Sequence, residues 1–231
     1  MTFVGVDLAW SDTNPTGICI LSKQGKVRVL DTVQSDNEIL KTAEGSIVAI
    51  DAPLIVPNKK GRRPAEDAIQ KQFQAYNAGA YPANREWLKK IGNGRIRGED
   101  LLAAYENRGY SRNPLSPGKR CVEVYPHPAQ VVLFGLDTVL PYKPGRGRNK
   151  QSRFEALQTL ESYLQNSSEI MYEKQLLPNN ASMITVKEMK GIEDMLDAVV
   201  CAYVAYLLHT NPNVMKLYGT VDEGYIVSPK L

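Results

Sequence analysis

An α/β fold, with a mixed central sheet made of a three-stranded antiparallel meander plus parallel strands and flanked by helices, is predicted by three features of the sequence. Short apolar runs at residues 3–8, 18–21 and 27–33 are joined by turn-forming segments, the pattern of consecutive strands. Two further apolar strands, at 46–51 and 120–125, are separated from these and from each other by helical segments. Apolar residues recur at three- and four-residue spacing over 151–165 and 191–208, as amphipathic helices require.

In chain order, residues 3–8 read as a strand buried on both faces, interrupted only by Gly5 and Asp7. Asn14-Pro15-Thr16-Gly17 and Lys23-Gln24-Gly25-Lys26 supply the turns of the meander. Asp36 is expected to cap a short helix reaching Lys41, and the next strand ends on Asp51 before Ala52-Pro53. Pro64 opens a helix to about Ala75, directly after the basic cluster Lys59, Lys60, Arg62 and Arg63. Residues 77–96 are expected to cross the surface with a short helix at 86–91, followed by a helix at 99–107. Glu123 lies within the strand stopped by Pro126, and a short helix at 128–134 follows. Residues 142–150 form a glycine-rich basic loop. The helix at 191–208 carries Asp194 and Asp197 in what are expected to be its first turns, and residues 219–227 make a final hairpin or edge. One domain over 1–231 is expected, with a basic helical and loop insertion at about 56–118.

Composition narrows the class. The chain has 231 residues, 43% hydrophobic and 23% charged, enough to bury a sizeable core, and a net charge of +3 neither requires nor excludes nucleic acid. Cys19, Cys121 and Cys201 are odd in number and far apart, which excludes a paired disulfide framework and a Cys-x-x-Cys metal knuckle. They read as small buried hydrophobes in a reducing compartment. No basic leader precedes Phe3 and no apolar run is long enough for a bilayer, so a cytoplasmic location without membrane attachment is expected.

A carboxylate inside an apolar strand is costly unless it is paired, hydrogen-bonded or bound to a cation. Asp7, Asp51 and Asp197 are therefore the central candidates for a site holding a hard divalent cation, with Glu123 as a further candidate acid. Each has a structural alternative: a loop hydrogen bond for Asp7, a turn-initiating role for Asp51, a salt bridge for Glu123, and macrodipole capping for Glu193 and Asp194. Arg62 and Arg63, with Lys59 and Lys60, are candidate phosphate binders beside a helix start, Arg146 and Arg148 between glycines suit a phosphate-binding loop, and His127 is a candidate proton carrier or substrate contact. The same basic residues also suit an ordinary solvated surface. Tyr76, Tyr81 and Trp87 interleave with Arg85 and Arg95, a mixture compatible with base stacking. No Walker loop, dinucleotide fingerprint or nucleophile elbow is present.

The segments Val4-Gly5-Val6-Asp7-Leu8-Ala9-Trp10, Ala49-Ile50-Asp51-Ala52-Pro53, Gly61-Arg62-Arg63, Glu123-Val124-Tyr125-Pro126-His127, Tyr142-Lys143 and Asp194-Met195-Leu196-Asp197-Ala198 occur in that order. As a set they resemble the family known as domain of unknown function 429, usually described as predicted nucleases of ribonuclease-H-like fold. The last segment is also similar to the final acidic motif of Holliday-junction resolvases. The resemblance implies two-metal phosphodiester hydrolysis on a nucleic-acid or nucleotide substrate, with Asp7, Asp51 and Asp197 holding Mg²⁺ or Mn²⁺, assisted by Glu123 and Asp194, and with Arg62, Arg63 and Lys143 binding phosphate. Two other readings stay open: an actin-like ATP-dependent phosphotransferase, for which the chain is short, and a non-catalytic nucleic-acid or protein-binding module of the same fold.

Overall fold

The first strand, β1 (Thr2–Asp7), is central: it pairs antiparallel with β2 (Thr16–Ser22) on one side and parallel with β4 (Ile47–Asp51) on the other. Adding β3 (Val27–Val33) next to β2 and β5 (Arg120–Glu123) next to β4 gives the order β3-β2-β1-β4-β5. β2 and β3 pair antiparallel, β4 and β5 parallel. This is the ribonuclease-H-like arrangement expected from the sequence. The computed structural model describes residues 1–11 and 13–231.

Between β3 and β4 lies α1 (Asp36–Thr42); α2 (Pro64–Phe73), α3 (Arg85–Ile91) and α4 (Arg97–Glu106) separate β4 from β5. Then come α5 (Pro126–Phe134), α6 (Lys150–Gln165), α7 (Val186–Thr210) and a hairpin of β6 (Met215–Thr220) and β7 (Gly224–Pro229), joined to the sheet by a bridge between Val124 and Val227. No helix among the described residues is long and apolar enough to cross a membrane. All three cysteines are buried and free.

Strand alternation sorts the core into two layers. Phe3, Cys19, Ala49 and Val122 face α7, itself backed by Phe154, Leu157 and Leu160 of α6. Val4, Val6, Ile18, Val48 and Ile50 face the other way, onto Ile39 of α1 and Leu101, Leu102 and Tyr105 of α4. Gly5 is required by the first layer, because a Cβ there would stand 2.0 Å from the Ala198 carbonyl oxygen. The backbone of α7 thus lies directly on β1.

Several boundaries differ from expectation. Ser35, not Asp36, caps α1, accepting from the Glu38 N–H at 3.2 Å. More consequentially, α7 begins five residues before Gly191: Thr185 and Glu188 form a capping box, so Val186 is the first helical residue. Glu193 and Asp194 therefore sit mid-helix, and the macrodipole does not account for them. The closing hairpin spans Met215 to Pro229, longer than the 219–227 segment.

Candidate functional site

Asp7 and Asp51 end adjacent parallel strands as register partners, so their side chains leave the same face of the sheet, the face covered by α7. Opposite Asp7 in the antiparallel pair is Gly17, whose missing side chain admits the helix: a Cβ would stand 2.0 Å from the Asp194 carbonyl oxygen. On α7 itself, Lys190, Glu193, Asp194 and Asp197 follow at three- and four-residue steps and share one side. Asp7, Asp51, Asp194 and Asp197 are thereby brought to one region by the sheet edge and one helix.

Asp197 is fully buried. Its Oδ1 accepts from Tyr142 OH at 2.7 Å and from Gln130 Nε2 at 3.2 Å, and its Oδ2 pairs with the Lys143 ammonium. Lys143 also reaches Glu193 at 3.2 Å. Lys190 bridges Glu193 at 3.0 Å and Asp194, while Arg153 approaches Glu193 at 3.3 Å. By contrast, among the described residues no cationic side chain stands within ion-pairing distance of Asp7 or Asp51, and the Asp7 carboxyl lies against that of Asp194. A cleft of about 610 Å³ opens over these groups, lined also by His127, Arg148, Tyr125 and Trp10.

The titration behaviour follows from this uneven pairing. Burial pushes Asp7 well above the usual carboxylate range, opposed by Lys143 and reinforced by the other aspartates. Burial likewise pushes Asp51 up to about 7. For Asp197, burial acts upward, but Lys143, His127 and Tyr142 outweigh it and hold it below its ordinary value. Burial, with Lys143 nearby, drives His127 down to about 4, so its ring is neutral at pH 7.

A stability prediction results. An unfolded aspartate ionises near 3.9. Between there and about 7 the folded chain holds more protons at Asp51 than the unfolded chain does, so this group lowers stability as pH rises. His127 acts oppositely between about 4 and 6.5, which makes the difference between variants the proper readout. In metal-free buffer, the stabilisation gained by Asp51→Asn should grow from pH 5 to pH 7.5 in urea titrations. A gain that is constant or shrinks with pH would contradict the assignment.

Of the remaining expected residues, Glu123, Arg63 and Arg62 are placed outside the cleft, and His127 lines it. Glu123 is the register partner of Ile50, so alternation directs it away from the side used by Asp51. There it accepts from Leu54 N–H at 2.8 Å and pairs with Arg63. Arg63, expected to bind phosphate, is only 1% exposed and is spent on Glu66, Glu123 and the Ile55 carbonyl. Arg62 is exposed near Asp67, at 3.8 Å. His127 does line the cleft: its Nδ1 is 3.2 Å from Tyr125 OH and its buried Nε2 has no partner.

Sequence reasoning gave no site role to Glu193, Lys190, Arg153, Gln130 or the Tyr142 hydroxyl. The first two were within reach, since Thr185-x-x-Glu188 is a capping-box signal that would have set the helix start and shown Lys190, Glu193, Asp194 and Asp197 on one side. The other three meet the site only through tertiary contacts.

Comparison with known proteins gives one match. The model of a family described as "Protein of unknown function (DUF429)" matches residues 5–215, from β1 to the start of β6. No curated protein and no solved structure matches the chain.

Proposed function

Because the chain belongs to the DUF429 family and carries the ribonuclease-H-like sheet, we propose that it is a metal-dependent hydrolase of phosphodiester bonds, a nuclease or phosphoesterase. One observation carries this reading: acids from β1, β4 and α7 converge at the strand ends under an open cleft, with Asp7 and Asp51 in no ion pair among the described residues.

Whether such a site suits a divalent ion is tested by its charge and donors. With all five ionised, Asp7, Asp51, Glu193, Asp194 and Asp197 face Lys143, Lys190 and Arg153 and leave two excess negative charges, which one divalent ion would match. The donors are all carboxylate oxygens, the type preferred by hard cations. Among the described residues no three His, Cys, Asp or Glu side chains stand in a metal-ligating arrangement, and Asp197 and Asp194 are paired with Lys143 and Lys190. The residues fit Mg²⁺ or Mn²⁺ in charge and donor type, and binding would require local side-chain rearrangement.

Asp7, Asp51, Asp194 and Asp197 would hold the ion, which when bound acidifies a water and withdraws charge from a phosphate oxygen. Lys143 keeps Asp197 ionised and presents a cation to a phosphate oxygen in the same cleft. Arg148 adds a second, planar donor set at the rim. Tyr142 and Gln130 fix the Asp197 carboxylate in one orientation. His127, neutral at pH 7 and with Nε2 unpartnered among the described residues, can accept a hydrogen bond or a proton there. Glu123 and Arg63 contribute by bracing the segment after Asp51, through Leu54 and Ile55.

Incubation with labelled single-stranded DNA, RNA and nucleotides tests the reading. Turnover should require Mg²⁺ or Mn²⁺ and fall by about 100-fold or more in Asp7→Asn, at least the loss usual for second-shell changes at metal sites. Absence of metal-dependent turnover on every substrate would overturn it.

A further inference from the structure

The carboxylate cleft continues into a narrower apolar slot. The two share Trp10, Asp51, Tyr81 and Tyr125, and the slot adds Trp87 and Pro53. Its aromatic rings are unusually open for their size: Tyr81 is 80% exposed, Trp10 48% and Trp87 40%. The two indoles meet edge to face, with ring centres 5.2 Å apart. This arrangement leaves ring surface facing solvent beside the acids, where a purely structural aromatic pair would bury it.

The shelf is held in place from below. Arg97, buried, donates to the carbonyls of Ala9 at 2.8 Å and Ser11 at 3.0 Å, either side of Trp10, and pairs with Asp36 at 2.6 Å. Trp87 is fixed by α3, whose Asn84 cap accepts from the Trp87 N–H at 3.0 Å. The first N–H groups of α3 bond to the carbonyls of Asn58 and Lys59. This docks the exposed run Lys59, Lys60 and Arg62 against the helix that carries Trp87. Acids with lysines on one side, aromatic faces in the middle and a basic loop beyond form a continuous track with the chemistry of a polynucleotide: scissile phosphate, base, next phosphates.

We propose that Trp10, Tyr81 and Trp87 form a stacking platform for an unpaired base, making single-stranded nucleic acid the substrate class of the carboxylate site. The proposal rests on the hydrolytic reading above for its direction along the track, but binding itself needs no turnover. Stacking serves any base, because each has a π face, and a duplex would have to open to present one. A free mononucleotide would fill the platform without reaching the basic loop.

The chain contains only two tryptophans, both in the platform, so intrinsic fluorescence reports on it directly. Titration of the full-length protein in EDTA with a twelve-residue oligothymidylate should quench this signal. An abasic strand of equal length, the corresponding duplex, and thymidine monophosphate should bind more weakly. Trp87→Ala, read through Trp10, should weaken oligothymidylate binding about 5- to 150-fold, the range for loss of one base–aromatic stack. Tyr81→Ala, at a ring that is almost fully exposed, supplies a second variant if Trp87→Ala fails to fold. Equal binding of abasic and normal strands, equal binding of monophosphate and oligomer, or unchanged affinity in both variants would overturn the platform. Loss of turnover with retained, base-dependent quenching would instead reject the hydrolytic reading alone.

Discussion

Replacing Arg63 with methionine is expected to destabilise the fold by about 3–5 kcal/mol, the usual consequence of removing one member of a buried ion network. The guanidinium reaches Glu66 through Nε at 2.7 Å, Glu123 through Nη1 at 2.9 Å and the Ile55 carbonyl at 2.8 Å. Arg63, Glu66 and Glu123 are all 3% exposed or less. Without the arginine two carboxylates stay buried unpaired, and burial already pushes Glu123 upward against the pull of Arg63. The loss arises from that uncompensated charge and not from any large net worth of the pair itself. At about 2–4 °C per kcal/mol for a chain of this size, the melting temperature should fall by roughly 6–20 °C. Adding Glu66→Gln and Glu123→Gln should recover part of it. A fall of less than 2 °C would show that water or rearrangement satisfies the two acids.

Gly5→Ala should have the next largest effect. Its Cβ would stand 2.0 Å from the Ala198 oxygen and 2.3 Å from the Ala202 nitrogen, both backbone atoms of α7 that no side-chain rotation can move. The helix has to back away from β1, at a cost of about 3 kcal/mol or more by analogy with overpacked cores. Since Asp194 and Asp197 travel with the helix while Asp7 stays on the strand, the acids should separate as well. Urea unfolding of Gly5→Ala should show the stability loss. A variant with wild-type stability would mean that α7 is not seated on β1 as described.

Much of this was legible in the sequence, for identifiable reasons. Asp7 and Asp51 each end an otherwise apolar strand, and burial of a carboxylate is costly enough that such a pattern marks a site. The meander showed in its alternation and turns. Glu123 looks the same in one dimension, yet the β4–β5 register pairs it with Ile50 and turns it onto Arg63. Arg63 misled in turn: an arginine before a proline-initiated helix suits an anion site, and only tertiary packing reveals that its partners are Glu66 and Glu123. Tyr142 and Gln130 reach Asp197 from 55 and 67 residues away, which no local spacing encodes.

The carboxylate cluster as a cation site is tested most directly by calorimetric titration of the metal-free protein with Mn²⁺ at pH 7.5. Wild type should bind, and repeating the titration at pH 6.5 should show more proton release, detectable as a dependence of the heat on buffer ionisation enthalpy, because burial raises Asp51 to about 7 and shifts Asp7 in the same direction. Asp7→Asn and Asp51→Asn should each bind far more weakly. Absence of Mn²⁺ binding by wild type, or binding by the two variants as tight as that of wild type, would contradict the account.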